Sequence, residues 1–492
     1  TDLTFTYPGS FDPVFERVSF QLDTDWRLGL TGRNGRGKTT LLRLLQGQYP
    51  HQGTITAPGG FEYFPYPIPD AALTPLELLE YSFPDVPQWR LRRELAPLFV
   101  TDDALYRPFS TLSGGEQAKI LLALLFAREG RYLLIDEPTN HLDETGRALV
   151  SRYLAKKSGF LLVSHDRAFL DGCVDHILSI NRGGIEVQKG NFSSWYENRR
   201  RQDAFELAQN AQLKKEIGRL KQAARQSRAW ADKVESTKIG PHSAKVTGEA
   251  DAMGGRAYIG EQSRRMQQRR KNLERRQNAA IEEKSALLKN IEQAAPLKLH
   301  QLPYHTDRLA LLRDVSVCYG GAPVCRGVSF CVEQGDRIAL RGANGTGKTS
   351  LLRLLCGEDV PHTGTVERSS RLRISYVRQD PSGLRGDLGA YAARYGLDES
   401  LFKAILRKLD FARVQFEKDM ADFSAGQKKK VLLARSLCEP SHLLVWDEPL
   451  NYVDVLSRMQ IEDLLLEFQP TIVFVEHDRV FCDHVATKAV ML

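Results

Sequence analysis

The chain has 492 residues, of which 42% are hydrophobic and 26% charged, the balance of a soluble globular protein with material for two or three domains. Its apolar runs, such as Ile120 to Ala127, fall well short of the about 20 residues that a membrane-crossing helix needs. The net charge is +7, but residues 193–295 hold 22 Lys+Arg against 13 Asp+Glu, so the positive charge is concentrated in the middle of the chain and a polyanion partner is expected there.

In chain order, an apolar strand, Trp26–Thr31, runs into the loop GRNGRGKTT, Gly32–Thr40, and then into an apolar helix. Glycines at Gly32, Gly35 and Gly37 let the backbone wrap a phosphate with its N–H groups, and the helix start adds a positive dipole. Lys38 is expected to reach the β- and γ-phosphates of ATP and Thr39 to ligate Mg²⁺, with Asn34 and Thr40 completing the ATP-binding loop. A buried strand, Arg131–Ile135, ends in Asp136-Glu137. The first acid suits the Mg²⁺ shell and the second the attacking water. A third strand, Phe160–Val163, stops just before His165. Such continuous apolar strands predict an α/β fold whose parallel sheet is covered on both faces.

Next come two predicted helices. From Ser193 to about Val234 the positions Leu213, Ile217, Leu220, Ala224, Ser227, Ala231 and Val234 alternate steps of four and three, the seam of a coiled coil. After Gly240-Pro241, the positions Ile259, Met266, Leu273, Ala280 and Leu287 recur every seven residues. This pattern predicts an antiparallel helical hairpin with its tip at about 235–257. Arg264, Arg265, Arg269, Arg270 and Lys271, with Lys245 at the tip, are the candidate RNA contacts, because clustered cations suit the phosphates of structured RNA. A solvated spacer stays open as a reading, and DNA would meet the same charges.

The first unit then returns. GANGTGKTS at Gly342–Ser350 repeats the loop with Asn344, Gly345, Gly347, Lys348 and Thr349. Leu443–Asp454 repeats the acids as Asp447 and Glu448, and Val475–Asp483 repeats the histidine as His477. The paired lysines, aspartates and histidines lie 310, 311 and 312 residues apart. The expected organisation is therefore a nucleotide-binding unit at 1–192, a basic helical linker at 193–300 and a second unit at 301–492.

Leu112-Ser-Gly-Gly-Glu-Gln117 resembles the signature of the ABC ATPase superfamily. The resemblance implies that the signature of one half caps the γ-phosphate held by the other. The signature positions are Ser113, Gly114, Gly115 and Glu116 in the first half, and the looser Ser424, Ala425, Gly426 and Gln427 in the second. It also implies that His165 and His477 contact the γ-phosphate, that Tyr7 and Tyr319 stack on adenine, and that Gln379 stands at the metal and water. The first half has Tyr66 where family members often carry Gln. Head-to-tail pairing puts Tyr66 and Ala425 in the same site, with Lys38 and Glu137, so that site is expected to hydrolyse ATP more slowly than the one holding Lys348, Glu448 and Gln379.

The order unit, basic helical linker, unit resembles the F subclass of ABC proteins, ATPases that act on ribosomes. Thr6–Phe20, Gly190–Arg199, Tyr258–Lys271 and Trp446–Asp454 look like the Lsa and Vga type of antibiotic-resistance factor. The resemblance implies a cytoplasmic monomer whose halves close on ATP at the exit site of the bacterial 70S ribosome, near 23S rRNA and the exit-site and peptidyl-site tRNAs. The linker would displace lincosamides, pleuromutilins or streptogramin A. The spacing from Tyr66 to Ser113 leaves no room for the helical arm that some members insert. A housekeeping translation factor, a transporter ATPase subunit and a coiled-coil DNA ATPase stay open as alternatives.

Overall fold

In a computed structural model, which describes residues 1–9, 13–57, 59–140, 142–181, 184–236, 268, 275–276, 299, 301–319 and 322–492, each copy of the repeat is an α/β unit on a mainly parallel sheet. The strands of the first half are β1 (Leu3–Phe5), β2 (Phe15–Val18), β3 (Arg27–Thr31), β4 (Phe61–Phe64), β5 (Tyr132–Asp136), β6 (Phe160–Val163), β7 (His176–Asn181) and β8 (Gly184–Lys189). Those of the second are β9 (Arg308–Tyr319), β10 (Ala322–Glu333), β11 (Arg337–Arg341), β12 (His362–Arg368), β13 (Ile374–Val377), β14 (Leu443–Asp447), β15 (Ile472–Val475) and β16 (Lys488–Met491).

The main sheets run β4-β5-β6-β3-β7-β8 and β13-β14-β15-β11-β16. All their pairings are parallel except β7 with β8, which is antiparallel. Smaller antiparallel sheets, β1-β2 and β10-β9-β12, accompany them and were not expected from the sequence. β2 and β12 bury few of their residues, so no apolar run marks them.

The central strands are buried along their whole length, as a sheet covered on both faces requires. Trp446 is the largest fully buried side chain, and its indole N–H donates to Ser436 Oγ at 2.9 Å. The helices after the glycine loops, Lys38–Leu45 and Lys348–Cys356, bury Leu41, Leu42 and Leu44, and Leu351, Leu352, Leu354 and Leu355. Each such leucine stabilises the unit by roughly 1.5–3 kcal/mol, which anchors the loop ahead of it. Between strand and signature each half carries two short helices, Pro75–Ser82 with Gln88–Leu95 and Leu388–Arg394 with Glu399–Lys408.

The chain forms two compact units, one of residues 1–195 with 294–492, the other of residues 196–293. In the second, the described part is chiefly the helix Phe192–Ser236, 45 residues long. At 1.5 Å per residue it runs about 68 Å. It continues two residues past the start of the expected tip. Ile217 is buried on it and Leu213 and Leu220 are half-buried, three successive positions of the predicted seam. Arg199 pairs with Asp203 at 3.1 Å and Arg201 with Glu197 at 2.5 Å, so these two arginines are partly neutralised along the helix. The rest of the expected tip, the returning helix apart from Gln268, Arg275 and Arg276, which are helical, and Lys245, Arg264, Arg265, Arg269, Arg270 and Lys271 lie outside the described residues. Among the described residues no helix is long and apolar enough to cross a membrane.

Candidate active site

The two glycine loops close in the same way. Gly37 and Gly347 sit in the left-handed region at φ 92° and 85°, immediately before helices that start at Lys38 and Lys348. At Gly37 a Cβ would also lie 2.6 Å from Val14 Cγ1, so glycine is required twice over. Lys38 Nζ donates to the carbonyls of Gly32 and Arg33 and to Asn34 Oδ1, at 2.6, 3.2 and 3.3 Å. Lys348 Nζ donates to the carbonyls of Gly342 and Ala343 at 2.9 and 2.7 Å. Burial lowers both lysines below their ordinary pKa, against the pull of nearby carboxylates.

The Walker-type acids leave β5 and β14 beside these loops. Asp136 Oδ2 accepts from Thr39 Oγ1 at 3.3 Å and from the Tyr63 hydroxyl at 2.9 Å. In the second half both Asp447 carboxylate oxygens are buried without a hydrogen-bond partner, next to Thr349. Burial pushes the Asp447 carboxyl up to about 6. A hydroxyl beside an unsatisfied buried carboxylate is a donor set that suits a small, hard divalent cation. The predicted Mg²⁺ positions Thr39 with Asp136, and Thr349 with Asp447, are thus brought together.

The neighbouring glutamates hold strained backbones, with φ 51° at Glu137 and 46° at Glu448, a conformation that costs a non-glycine residue about 1–3 kcal/mol. Their surroundings differ. Glu448 Oε1 lies 3.2 Å from His477 Nε2 in hydrogen-bond geometry, and its Oε2 accepts from Gln379 Nε2 at 2.9 Å and Asn451 Nδ2 at 2.6 Å. Burial would raise this carboxyl, but the hydrogen bonds from His477 and Gln379 outweigh it and bring the pKa below the ordinary value. His165 Nε2 lies equally close to Glu137, at 3.2 Å, yet Glu137 Oε1 is buried without a hydrogen bond. Tyr66 packs on Phe83, with ring centroids 5.1 Å apart. Burial, then the charge of Asp136, push the Glu137 carboxyl up to about 8. Burial also holds the His165 imidazole well below its usual range.

The two signatures start helices at Gly114 and Ala425 with matching caps. Ser113 accepts from the Glu116 amide and Ser424 from the Gln427 amide, each at 3.3 Å, while the Glu116 and Gln427 side chains bond back to the serine amides. Glu116 and Gln427 are thus engaged in capping their own helices. Ala425 takes the place of Gly114 as the first helical residue, a conformation alanine adopts freely, so this departure leaves the cap unchanged. Of the two irregularities read from the sequence, Ala425 keeps the cap of its helix, and Tyr66 packs on Phe83 where Gln379 bonds to Glu448 in the other half.

Contacts between the halves follow the head-to-tail pattern. Asn34 Nδ2 donates to the Tyr452 carbonyl at 2.9 Å, and the Asn34 amide lies 3.5 Å from Asp454 Oδ2. A Cβ at Gly426 would sit 2.4 Å from the Tyr452 carbonyl and 3.1 Å from Asn34 Nδ2, which brings the second signature to the first loop. The other pairing is marked by Arg479, 3.8 Å from Glu144, and by Asp143, whose charge is felt at Lys348. Arg167 of the first half pairs with Glu462 of the second, which His484 also meets at 2.6 Å. Gly426→Ala is expected to push Tyr452 and Asn34 apart and to weaken ATP-dependent closure at the first site at least tenfold, about 1.4 kcal/mol. Nucleotide-trapping assays on the variant check this, and unchanged trapping would sink it.

Tyr7 and Tyr319 are exposed beside the loop helices, their hydroxyls 2.7 Å from Thr40 Oγ1 and 3.1 Å from Ser350 Oγ. Both aromatic faces are therefore available next to the predicted phosphate sites. Sequence reading missed Tyr63, Asn451 and the trans contacts of Tyr452 and Asp454. Three of these had a signal in the repeat, since Asn140 matches Asn451, Asp143 matches Asp454 and Tyr376 matches Tyr63.

The model of the ABC transporter family matches residues 15–62 and 325–451, the two loop-bearing regions. This is an ABC-type ATPase. The ATPase is 29% identical over 500 residues to the ATP-binding protein Uup of Caulobacter vibrioides, covering 98% of this chain and 75% of the relative. It is 27% identical over 490 residues to the ribosome protection protein VmlR of Bacillus subtilis, covering 97% and 84%. To the probable ATP-binding protein YheS of Escherichia coli it is 28% identical over 509 residues, covering 95% and 74%. These likenesses run over nearly the full chain, through both loop-bearing halves and the segment between them. Among solved structures, the archaeal ribosome recycling factor aABCE1 matches with a TM-score of 0.63 at 18% identity, over 100% of this chain and 87% of that one, a likeness of fold.

Proposed function

We propose that the ATPase is a ribosome-binding factor of the bacterial cytoplasm that protects the peptidyl-transferase centre from antibiotics, as the Lsa and Vga type of factor does. Two ATPase halves at 1–192 and 301–492 flank a basic linker at 193–300. The observation that carries the reading is this architecture together with the likeness, over 97% of the chain, to a protein named for ribosome protection. Lincosamides, pleuromutilins and streptogramin A are the expected drugs, and 23S rRNA with the exit-site and peptidyl-site tRNAs the expected surroundings.

At each site the loop lysine and backbone amides grip the phosphates, the tyrosine stacks on adenine, and the opposite signature caps the γ-phosphate. Thr39 with Asp136, and Thr349 with Asp447 and Gln379, would hold Mg²⁺, which supplies charge neutralisation at the β- and γ-phosphates. Glu448, held by His477 and Gln379, orients and deprotonates the attacking water. Closure that needs residues of both halves makes ATP the cement between them, and hydrolysis releases them.

The test is co-sedimentation of the Glu137→Gln/Glu448→Gln variant with bacterial 70S ribosomes, with ATP and with bound lincomycin or tiamulin. Retention with loss of the drug is expected. Retention with the drug still bound would favour a housekeeping translation factor, and rapid dissociation would remove the ribosome from the account.

A further inference from the structure

The helix Ala425–Cys438 buries two consecutive lysines, Lys429 and Lys430, which are 0% and 2% exposed. Lys430 has a carboxylate partner, Asp454 Oδ2 at 2.9 Å. Lys429 spends its ammonium on carbonyl oxygens instead, Arg378 O at 3.0 Å, Glu448 O at 2.9 Å and Asp447 O at 3.5 Å. Burying an ammonium costs several kcal/mol, and an apolar side chain of the same length would fill the space without that cost.

The three carbonyls lie where β13 and β14 end. The last pair that these two strands make with each other is Val377 with Trp446, and after one intervening residue on each chain come Gln379 and Glu448. Lys429 thus bridges the residue before Gln379 to Glu448 itself. The Gln379 amide and the Glu448 carboxylate meet at 2.9 Å across that bridge. In the first half the matching helix position is Ala118, counted from the signature serine, and it has no donor to offer. There the residue before Tyr66 is Pro65, and Glu137 Oε1 is left without a hydrogen bond. Ammonium, glutamine and well-held glutamate occur together in one half and are missing together from the other.

We propose that Lys429 is a positioning residue for ATP hydrolysis at the second site: its ammonium ties the backbone ahead of Gln379 to that of Glu448 and so holds the Gln379–Glu448 pair in place. The effect acts through backbone carbonyls, so it sets the orientation of the carboxylate toward water and leaves nucleotide contacts alone. It rests on the ATPase chemistry and needs no ribosome.

The experiment is Lys429→Met in a Glu137→Gln background, where turnover comes from the second site alone. The expected result is a kcat lowered ~10–100-fold, the usual range for residues that support a reacting group, with KM for ATP changed less than about twofold. The same substitution in the Glu137→Gln/Glu448→Gln background is expected to lower the residual rate no further, because the group it positions is gone. An unchanged kcat would overturn the proposal. So would an equal proportional loss in both backgrounds, or a rise in KM matching the fall in kcat. Lys429→Gln, smaller and uncharged, is read by the same criteria should the methionine variant not fold.

Discussion

Glu448→Gln is expected to lower steady-state ATP turnover by ~10²–10³, the loss typical of removing one group that acts on the transition state. Glu137→Gln is expected to lower it less than about threefold, since burial and the charge of Asp136 push its carboxyl up to about 8, which favours the protonated form, and its Oε1 has no hydrogen bond. A protonated glutamate cannot take a proton from water, so an amide in its place changes little. The structural basis is separate from the protonation. Glu448 has His477, Gln379 and Asn451 on its two oxygens, whereas Glu137 Oε1 has no hydrogen bond and Tyr66 has turned to Phe83. Multiple-turnover rates of the two single variants decide the matter, and equal losses would remove the asymmetry. Tyr66→Gln gives the converse check, because restoring an amide beside Glu137 should raise the contribution of the first site.

Lys430→Met is expected to destabilise the second half by about 3–5 kcal/mol, the cost of leaving one member of a buried ion pair alone. Asp454 is fully buried, and its pKa is brought down by Lys430 and Lys38 against the upward pull of burial. Its carboxylate also caps the helix Val455–Phe468 through the Ser457 amide at 2.9 Å and lies 3.5 Å from the Asn34 amide of the other half. Losing the pair should lower the melting transition of this half by roughly 10 °C, at about 2–4 °C per kcal/mol for a unit of this size. Lys430→Met combined with Asp454→Asn should recover most of the loss, since no uncompensated charge remains. Calorimetry on the three proteins tests this, and a single variant that melts like the parent would show that the pair contributes nothing.

The loops at Gly32–Thr40 and Gly342–Ser350, the acids at the ends of β5 and β14, and the α/β class were legible because each is local. A glycine loop followed by an apolar helix, or an apolar strand that stops at two acids, carries its chemistry within about ten residues. The repeat then states it twice. The small antiparallel sheets were not legible, because strands such as β2 and β12 carry no continuous apolar run. Ala425 departs from Gly114 in sequence yet leaves the helix cap unchanged, since a first helical position accepts either residue.

The sequence by itself determined that two glycine-loop halves exist and which residues form each loop and the acid pair beside it, because those features depend on local backbone conformation. Only the tertiary structure decided that Asn34 meets Tyr452 across 418 residues of chain, that Lys429 bridges Arg378 and Glu448, and that Glu448 is bonded on both oxygens while Glu137 Oε1 has no hydrogen bond. Those relations depend on how strands end beside one another and on what burial does to a charge, and neither is encoded in the spacing of residues along the chain.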